Sequence, residues 1–178
     1  MIRRLIRQEV ISALIVLIAG ILLHFVYQWS GKNSAVAVIS SVNESVWEHM
    51  KLLFVPAFLL TLVQAFLLAR RWPGFLAARV MGVLLGIGII PVLYYTYLGA
   101  WGKQITWFNI AIYAIAVLAA FLLETRLRRK GRLEAGWLQV LGLAVLLALA
   151  ILFVLWTYDP PHIPLFQDPR TLTYGICF

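Results

Sequence analysis

Between residues 40 and 51 the chain reads SSVNESVWEHMK, which sets Asn43, Glu44, Ser45, Glu48, His49 and Lys51 within nine residues. Groups of these types serve as general acids and bases, as metal ligands and, for Ser45, as a nucleophile. Wound as a helix over residues 43–56 at about 100° per residue, the stretch places Lys51, Glu44, Glu48, Ser45 and His49 on one arc. Val46, Trp47, Met50, Leu53 and Phe54 take the opposite arc. Asn43 or Ser41 can cap such a helix, and glutamates in its first turns suit the helix dipole. The stripe therefore has a second reading without chemistry. It can be the wet end of a membrane helix, with Trp47 among lipid headgroups and Glu48 and Lys51 as an ordinary pair.

Further polar residues are expected at the same level. His24 and Gln28 sit near the end of the first apolar segment, Tyr94, Tyr95 and Tyr97 near the end of the third, and Asn109 at the start of the fourth. Trp101, Lys103 and Gln104 lie between those two. The tail TYDPPHIPLFQDPRTLTYG adds Asp159, His162 and Asp168. From these residues the sequence suggests a ligand-binding set of Asn43, Glu44, Ser45, Trp47, Glu48, His49, His24, Tyr94, Tyr95, Asn109, His162 and Asp168. A divalent metal would be held by His24, His49 and His162, assembled from three separate segments, since no His pair at i and i+4 is present.

These groups must be positioned by a chain that is mostly apolar. Of its 178 residues, 63% are hydrophobic and 12% charged, against the roughly 25% charged of soluble domains. Five segments have the roughly 20 predominantly apolar residues needed to cross a bilayer: about 10–29, 46–69, 75–98, 105–123 and 137–158. In lipid a backbone must satisfy its own hydrogen bonds, so these segments are predicted to be helices. The fold class is an all-α polytopic membrane protein with five spans, forming one integral membrane domain over residues 1–178. Pro56 and Pro91 fall inside spans and should kink them. Gly82, Gly86 and Gly88 offer a small-residue face for close helix contact. The basic start of MIRRLIRQEVISALIVLIAGILLHFVYQW resembles a signal peptide, but its apolar run is too long for one and reads as a retained span.

The net charge is +8, and the basic residues gather in short connections. That pattern orients membrane helices and sets nucleic-acid binding aside. Arg3, Arg4, Arg7, Arg70, Arg71, Arg79, Arg126, Arg128, Arg129, Lys130 and Arg132 fall on one side; Lys32, Lys51, Lys103 and Arg170 fall on the other. The expected location is the cell membrane, with the N-terminus cytoplasmic and the C-terminus outside. Residues 159–178, stiffened by Pro160, Pro161, Pro164 and Pro169, should pack as a lid over the outer mouth. Cys177, the sole cysteine, allows no disulfide within the chain.

With NESVWEHMKL and PPHIPLFQDPRTLTYGI both in view, the chain resembles a family of small prokaryotic integral membrane proteins known as a domain of unknown function. The resemblance implies an outer-face site shared by residues 43–49 and the tail, and it implies no activity. Separately, Ser45-Val-Trp-Glu-His49 is similar to the Ser-x3-His element of the seven-span metal hydrolases that include alkaline ceramidases and adiponectin receptors. This chain lacks their aspartate on the next span and their His-x3-His pair, and it has five spans. Three functions follow as expectations. The first is a pocket for a small ligand or ion, a transport component included, with an oligomer or partner subunit able to complete it. The second is a hydrolase or transferase acting on a lipid-type substrate, with His49, Glu44, Glu48 and Ser45 as its catalytic groups. The third is a scaffold without a ligand.

Overall fold

The computed structural model describes residues 2–68, 74–131 and 133–176, with the side chains of residues 67 and 68 also left aside. Arg70, Arg71, Arg132 and Cys177, all weighed above, lie outside the described residues. The elements are α1 (Ile2–Trp29), α2 (Ser34–Ala37), α3 (Val46–Leu68), α4 (Phe75–Trp101), α5 (Thr106–Lys130) and α6 (Gly136–Tyr158). All except α2 are long and apolar enough to cross a membrane, and together they fit a multi-pass membrane protein. No strand is present among the described residues; one isolated bridge joins Gln167 to Tyr174.

Three helices outrun their expected spans. The first begins at Ile2 rather than at residue 10, because arginine and glutamine are good helix formers and Arg3, Arg4 and Arg7 remain exposed. The fourth ends at Trp101, where Gly102 takes a φ of +67° and donates its N–H to the Leu98 carbonyl. That left-handed residue is a common helix stop. The fifth runs to Lys130, past the apolar stretch, with three basic residues facing the negative end of the dipole. Residues 30–45 also contain α2, capped by the Asn33 side chain accepting from the Ala35 N–H at 2.9 Å.

Helices α3 and α4 form the middle of the bundle. Against them pack α1 and α5 on one side and α6 on the other, and the α4–α5 contact is the most extensive. Small residues make that contact close. A Cβ on Gly82 would lie 2.5 Å from the Ala120 carbonyl oxygen, and one on Gly86 3.2 Å from that of Ala116. Gly88 does not share this face, since a Cβ there meets nothing within 4 Å. At about 100° per residue it points roughly 160° away from Gly86.

Buried charge holds the end of the bundle at which α1 starts. Arg79 is counted above among the connecting positives, yet it is fully buried one turn inside α4. Its Nε donates to Glu124 Oε2 at 2.6 Å, its Nη1 to Thr61 at 3.1 Å and its Nη2 to Gln64 at 2.8 Å. Arg128 pairs with Glu9 and with Glu124. Four formal charges from α1, α4 and α5 thus cancel inside the bundle, as charges in an apolar surrounding must.

The glycine geometry gives a paired expectation. Gly82→Ala should destabilise the protein by about 1–3 kcal/mol through overpacking, whereas Gly88→Ala should leave stability unchanged or slightly improved. Thermal unfolding of both variants in detergent micelles measures the contrast.

Candidate functional site

The residues 40–51 stretch does not form one helical arc. Helix α3 begins only at Val46, and Ser45 is its cap, accepting from the Glu48 N–H at 3.3 Å. Asn43, one of the expected caps, instead accepts from the Ser45 N–H at 2.9 Å and so shapes the approach to the helix. Once the helix starts, Glu48 and Lys51 share a face while His49 lies about 100° from Glu48. Glu44, still on the loop, is free to turn toward His49. The polar stripe therefore splits into two clusters with different surroundings.

The first cluster is internal. Glu48 is 2% exposed and Lys51 is 0% exposed. Lys51 Nζ lies 2.6 Å from Glu48 Oε2 and donates to the Ala37 carbonyl at 2.9 Å and to Thr157 Oγ1 at 2.8 Å. Three partners match its three N–H donors. Glu48 also accepts from the Val42 N–H at 3.0 Å. The expected surface pair is thus a buried tie among α2, α3 and α6. Trp47 likewise does not meet lipid headgroups: it is buried against Phe153, Trp156 and Phe166, with ring centroids 4.4–5.1 Å apart.

The second cluster faces a cavity of about 330 Å³ between α1 and α5. His24 Nε2 lies 3.5 Å from Glu44 Oε1, His49 Nε2 lies 3.8 Å from Glu44 Oε2, and Arg170 Nη1 lies 3.3 Å from Glu44 Oε1. The two imidazole centroids are 5.6 Å apart. His49 Nδ1 is 2.8 Å from the Ser45 carbonyl. A carbonyl oxygen accepts and never donates, so Nδ1 carries a proton; Nε2 is then a lone pair in the neutral ring and an N–H in the imidazolium. In either state Nε2 faces a carboxylate oxygen of Glu44. Gly20, Ile21, Phe25 and Leu52 make an apolar wall, and Gln104, Asn109 and Tyr113 add polar atoms.

The tail contributes through Asp168, which is buried. Its Oδ2 accepts from the Glu44 N–H at 3.4 Å and its Oδ1 from the Arg170 N–H at 2.7 Å. The Trp47 backbone N–H donates to the Leu165 carbonyl at 3.0 Å, and the Asn43 side-chain amide to the Gly175 carbonyl at 3.1 Å. These bonds fasten the tail to the start of α3 and set Arg170 beside Glu44.

Of the residues expected at the site, Glu44, His24, His49 and Asn109 line the cavity directly. Asn43, Ser45 and Asp168 shape its rim from behind. Ser45, offered as a nucleophile, is 1% exposed with its hydroxyl committed to the helix cap. Glu48 and Trp47 belong to the internal cluster. Tyr94 lines a separate small crevice with His49 and Asn109 and takes a hydrogen bond from Gln104, and Tyr95 leans edge-on against it. His162 is exposed and stacks on Tyr174 at 4.6 Å, where the proline-rich turn holds it. The trio His24, His49 and His162 therefore does not assemble, and among the described residues no three His, Cys, Asp or Glu side chains are grouped to hold a metal ion.

Sequence reasoning missed Arg170, Tyr113 and Gly20. The Asp168-Pro-Arg order carried a usable signal for the first, since an aspartate two residues before a residue often caps its N–H in a turn. Tyr113 sits in mid-helix and donates to the Val16 carbonyl at 2.9 Å; a side chain on Gly20 would collide with its hydroxyl. Nothing in an apolar run announces that pairing.

The chain belongs to a family of unknown function (DUF6512), whose model matches residues 3–176. No curated protein and no solved structure matches it.

The carboxyl of Glu44 is held below its ordinary range, first by its hydrogen bond from His24 and then by the charges of His24, His49 and Arg170, against the opposing effect of burial. A carboxyl lowered by folding stabilises the protein above its unfolded-state value, and that contribution is lost as pH falls through the lowered folded value. Wild type should therefore melt above Glu44→Gln at neutral pH and at pH 5, with the gap closing below about pH 4. Melting curves of the two proteins across that range check the sign.

Proposed function

We propose that this protein is a membrane-embedded binding protein whose cavity between α1 and α5 takes a compact ligand bearing a hydrogen-bond donor. One observation carries the reading: His49 Nε2 and a Glu44 carboxylate oxygen face each other across 3.8 Å at the cavity wall, beyond direct hydrogen-bond reach. With the His49 ring neutral these are two acceptors, and while His24 and Arg170 serve Glu44 Oε1, the gap at Oε2 has room for a donor that bonds to both. A hydroxyl or ammonium group fits that gap, and Ile21, Phe25 and Leu52 accept an apolar body next to it. The tail acts as the lid of this pocket, with Arg170 at its edge.

The same geometry favours a second reading as a hydrolase or transferase of a lipid-type substrate. An imidazole anchored through Nδ1 on a carbonyl, with Nε2 free toward a cavity, is oriented as a general base. In that reading His49 takes a proton from a substrate hydroxyl or water, and Glu44 and His24 position it.

The orientation belongs to this proposal too. Arg3, Arg4, Arg7, Arg126, Arg129 and Lys130 would face the cytoplasm, and the pocket would open to the outside of the cell membrane. A membrane-impermeant maleimide added to whole cells should label Lys103→Cys and spare Lys130→Cys, both in a Cys177→Ser background; the reverse pattern would invert the proposed topology.

For the pocket itself, native mass spectrometry of protein extracted from its own membranes should detect a bound small molecule on the wild type. His49→Ala and Ile21→Trp should both lose it while keeping their folded charge-state distribution. A ligand-free wild type, or retention by both variants, leaves the scaffold reading standing instead.

A further inference from the structure

We propose that the opposite end of the α1–α5 seam is a binding site for an anionic phospholipid, with an acyl chain in the groove and its phosphate on Arg129. This site is separate from the histidine-bearing end and does not depend on it. A cavity of about 340 Å³ lies here, walled by Ile6, Val10 and Leu14 of α1 and by Leu118 and Leu122 of α5, with Arg129 at its rim. It follows α1 from Ile6 to Leu17. At 1.5 Å per residue that is about 16 Å, close to half of a hydrocarbon core about 30 Å thick. The length suits a chain from one leaflet.

Charge decides the headgroup. Arg3, Arg4, Arg7, Arg126, Arg129 and Lys130 are exposed at this end, and Glu134 is the exposed acid described there. Glu9, which also lines the cavity, is paired with buried Arg128, and Glu124 with buried Arg79. Those pairs cancel inside the bundle and leave the rim strongly positive. Clustered arginines beside a groove between membrane helices attract anionic lipid headgroups. The same rim argues against a second copy of the chain as the occupant. A symmetric partner would bring its own arginine cluster against this one, and like charges at such a contact repel.

Tyr113 separates the two cavities. Its hydroxyl donates to the Val16 carbonyl and reaches toward that of Leu52, 3.4 Å away, which pins α5 to α1 and α3 at mid-seam. A chain entering from the arginine end therefore stops there, short of the histidines.

The test uses full-length protein in nanodiscs holding equal parts of dioleoyl phosphatidylglycerol and dioleoyl phosphatidylcholine, ejected into a native mass spectrometer. Wild type should retain phosphatidylglycerol preferentially at one lipid per chain. Arg129→Ala, an exposed position, should reduce that preference about fivefold, the effect of one basic residue at an anionic surface. Val10→Trp, which fills the groove from an exposed wall, should abolish lipid retention at unchanged melting temperature. Lys103→Ala, at the other end, should change nothing. The proposal is overturned by equal retention of the two lipids, by an equal response to Lys103→Ala and Arg129→Ala, by retention in Val10→Trp, or by a lipid-free dimer.

Discussion

Lys51 cannot reach water from where α3 puts it, and the structure around it follows from that. An ammonium group withdrawn from solvent needs an opposite charge and a full set of acceptors, or it would not be tolerated. Glu48, the Ala37 carbonyl and Thr157 supply them from three different elements. Meeting this requirement draws α2 inward, fixes the level at which α6 ends, and sets the rotation of α3. The rotation then leaves His49 facing α1 and α5. The geometry of the cavity is thus a consequence of an ion pair that does not line it.

The far end of the bundle repeats the logic with arginine. Arg79 is held by a carboxylate, a hydroxyl and an amide, and its guanidinium lies 5.1 and 5.0 Å from the ring centroids of Phe75 and Phe121. A planar, weakly hydrated cation with a rigid fork of donors suits such a dry, aromatic setting better than an ammonium would. Between these two charged layers the helices are joined by apolar contacts and by Tyr113. Hydrophobic burial does not drive helix association in lipid. Two polar layers, one toward each end of the bundle, give these helices a fixed register that leucines alone would leave loose.

The fold was legible in the sequence for the reason that membrane spans usually are: length and apolarity leave a chain few other options. Helix ends were less legible, because Arg3, Arg4, Arg7, Arg126, Arg129 and Lys130 look like loop charge while being good helix formers at exposed positions. For the candidate site the neighbourhood was legible, since Glu44, His24, His49, Asn109 and Asp168 do lie close together. Its internal geometry was not. Treating residues 43–56 as one helix merged two clusters that a helix start at Val46 separates. No count of 100° steps can locate that start, because it depends on Ser45 capping while Asn43 shapes the loop. The depth of Lys51 and Arg79 was hidden for a similar cause, since a basic residue near the end of a span looks the same whether it snorkels out or turns in.

Why α4 and α5 pack more closely than α1 and α5 can be argued from residue sizes. Along α4, Gly82 and Gly86 meet Ala116 and Ala120, and the backbones approach until carbonyl oxygens limit them. Along α1 the residues lining the seam are Ile6, Val10, Leu14 and Leu17, across the cavity from Leu118, Phe121 and Leu122. Branched and aromatic side chains on both helices keep the backbones from approaching as closely as the glycines and alanines of α4 and α5 allow. One place does pull them together: Gly20 makes room for the Tyr113 hydroxyl, which bonds to the Val16 carbonyl one turn below. A seam pinned at its middle and propped open on either side must leave two hollows. Their chemistry differs only because the residues at the two ends differ, histidines with a carboxylate at one and arginines at the other.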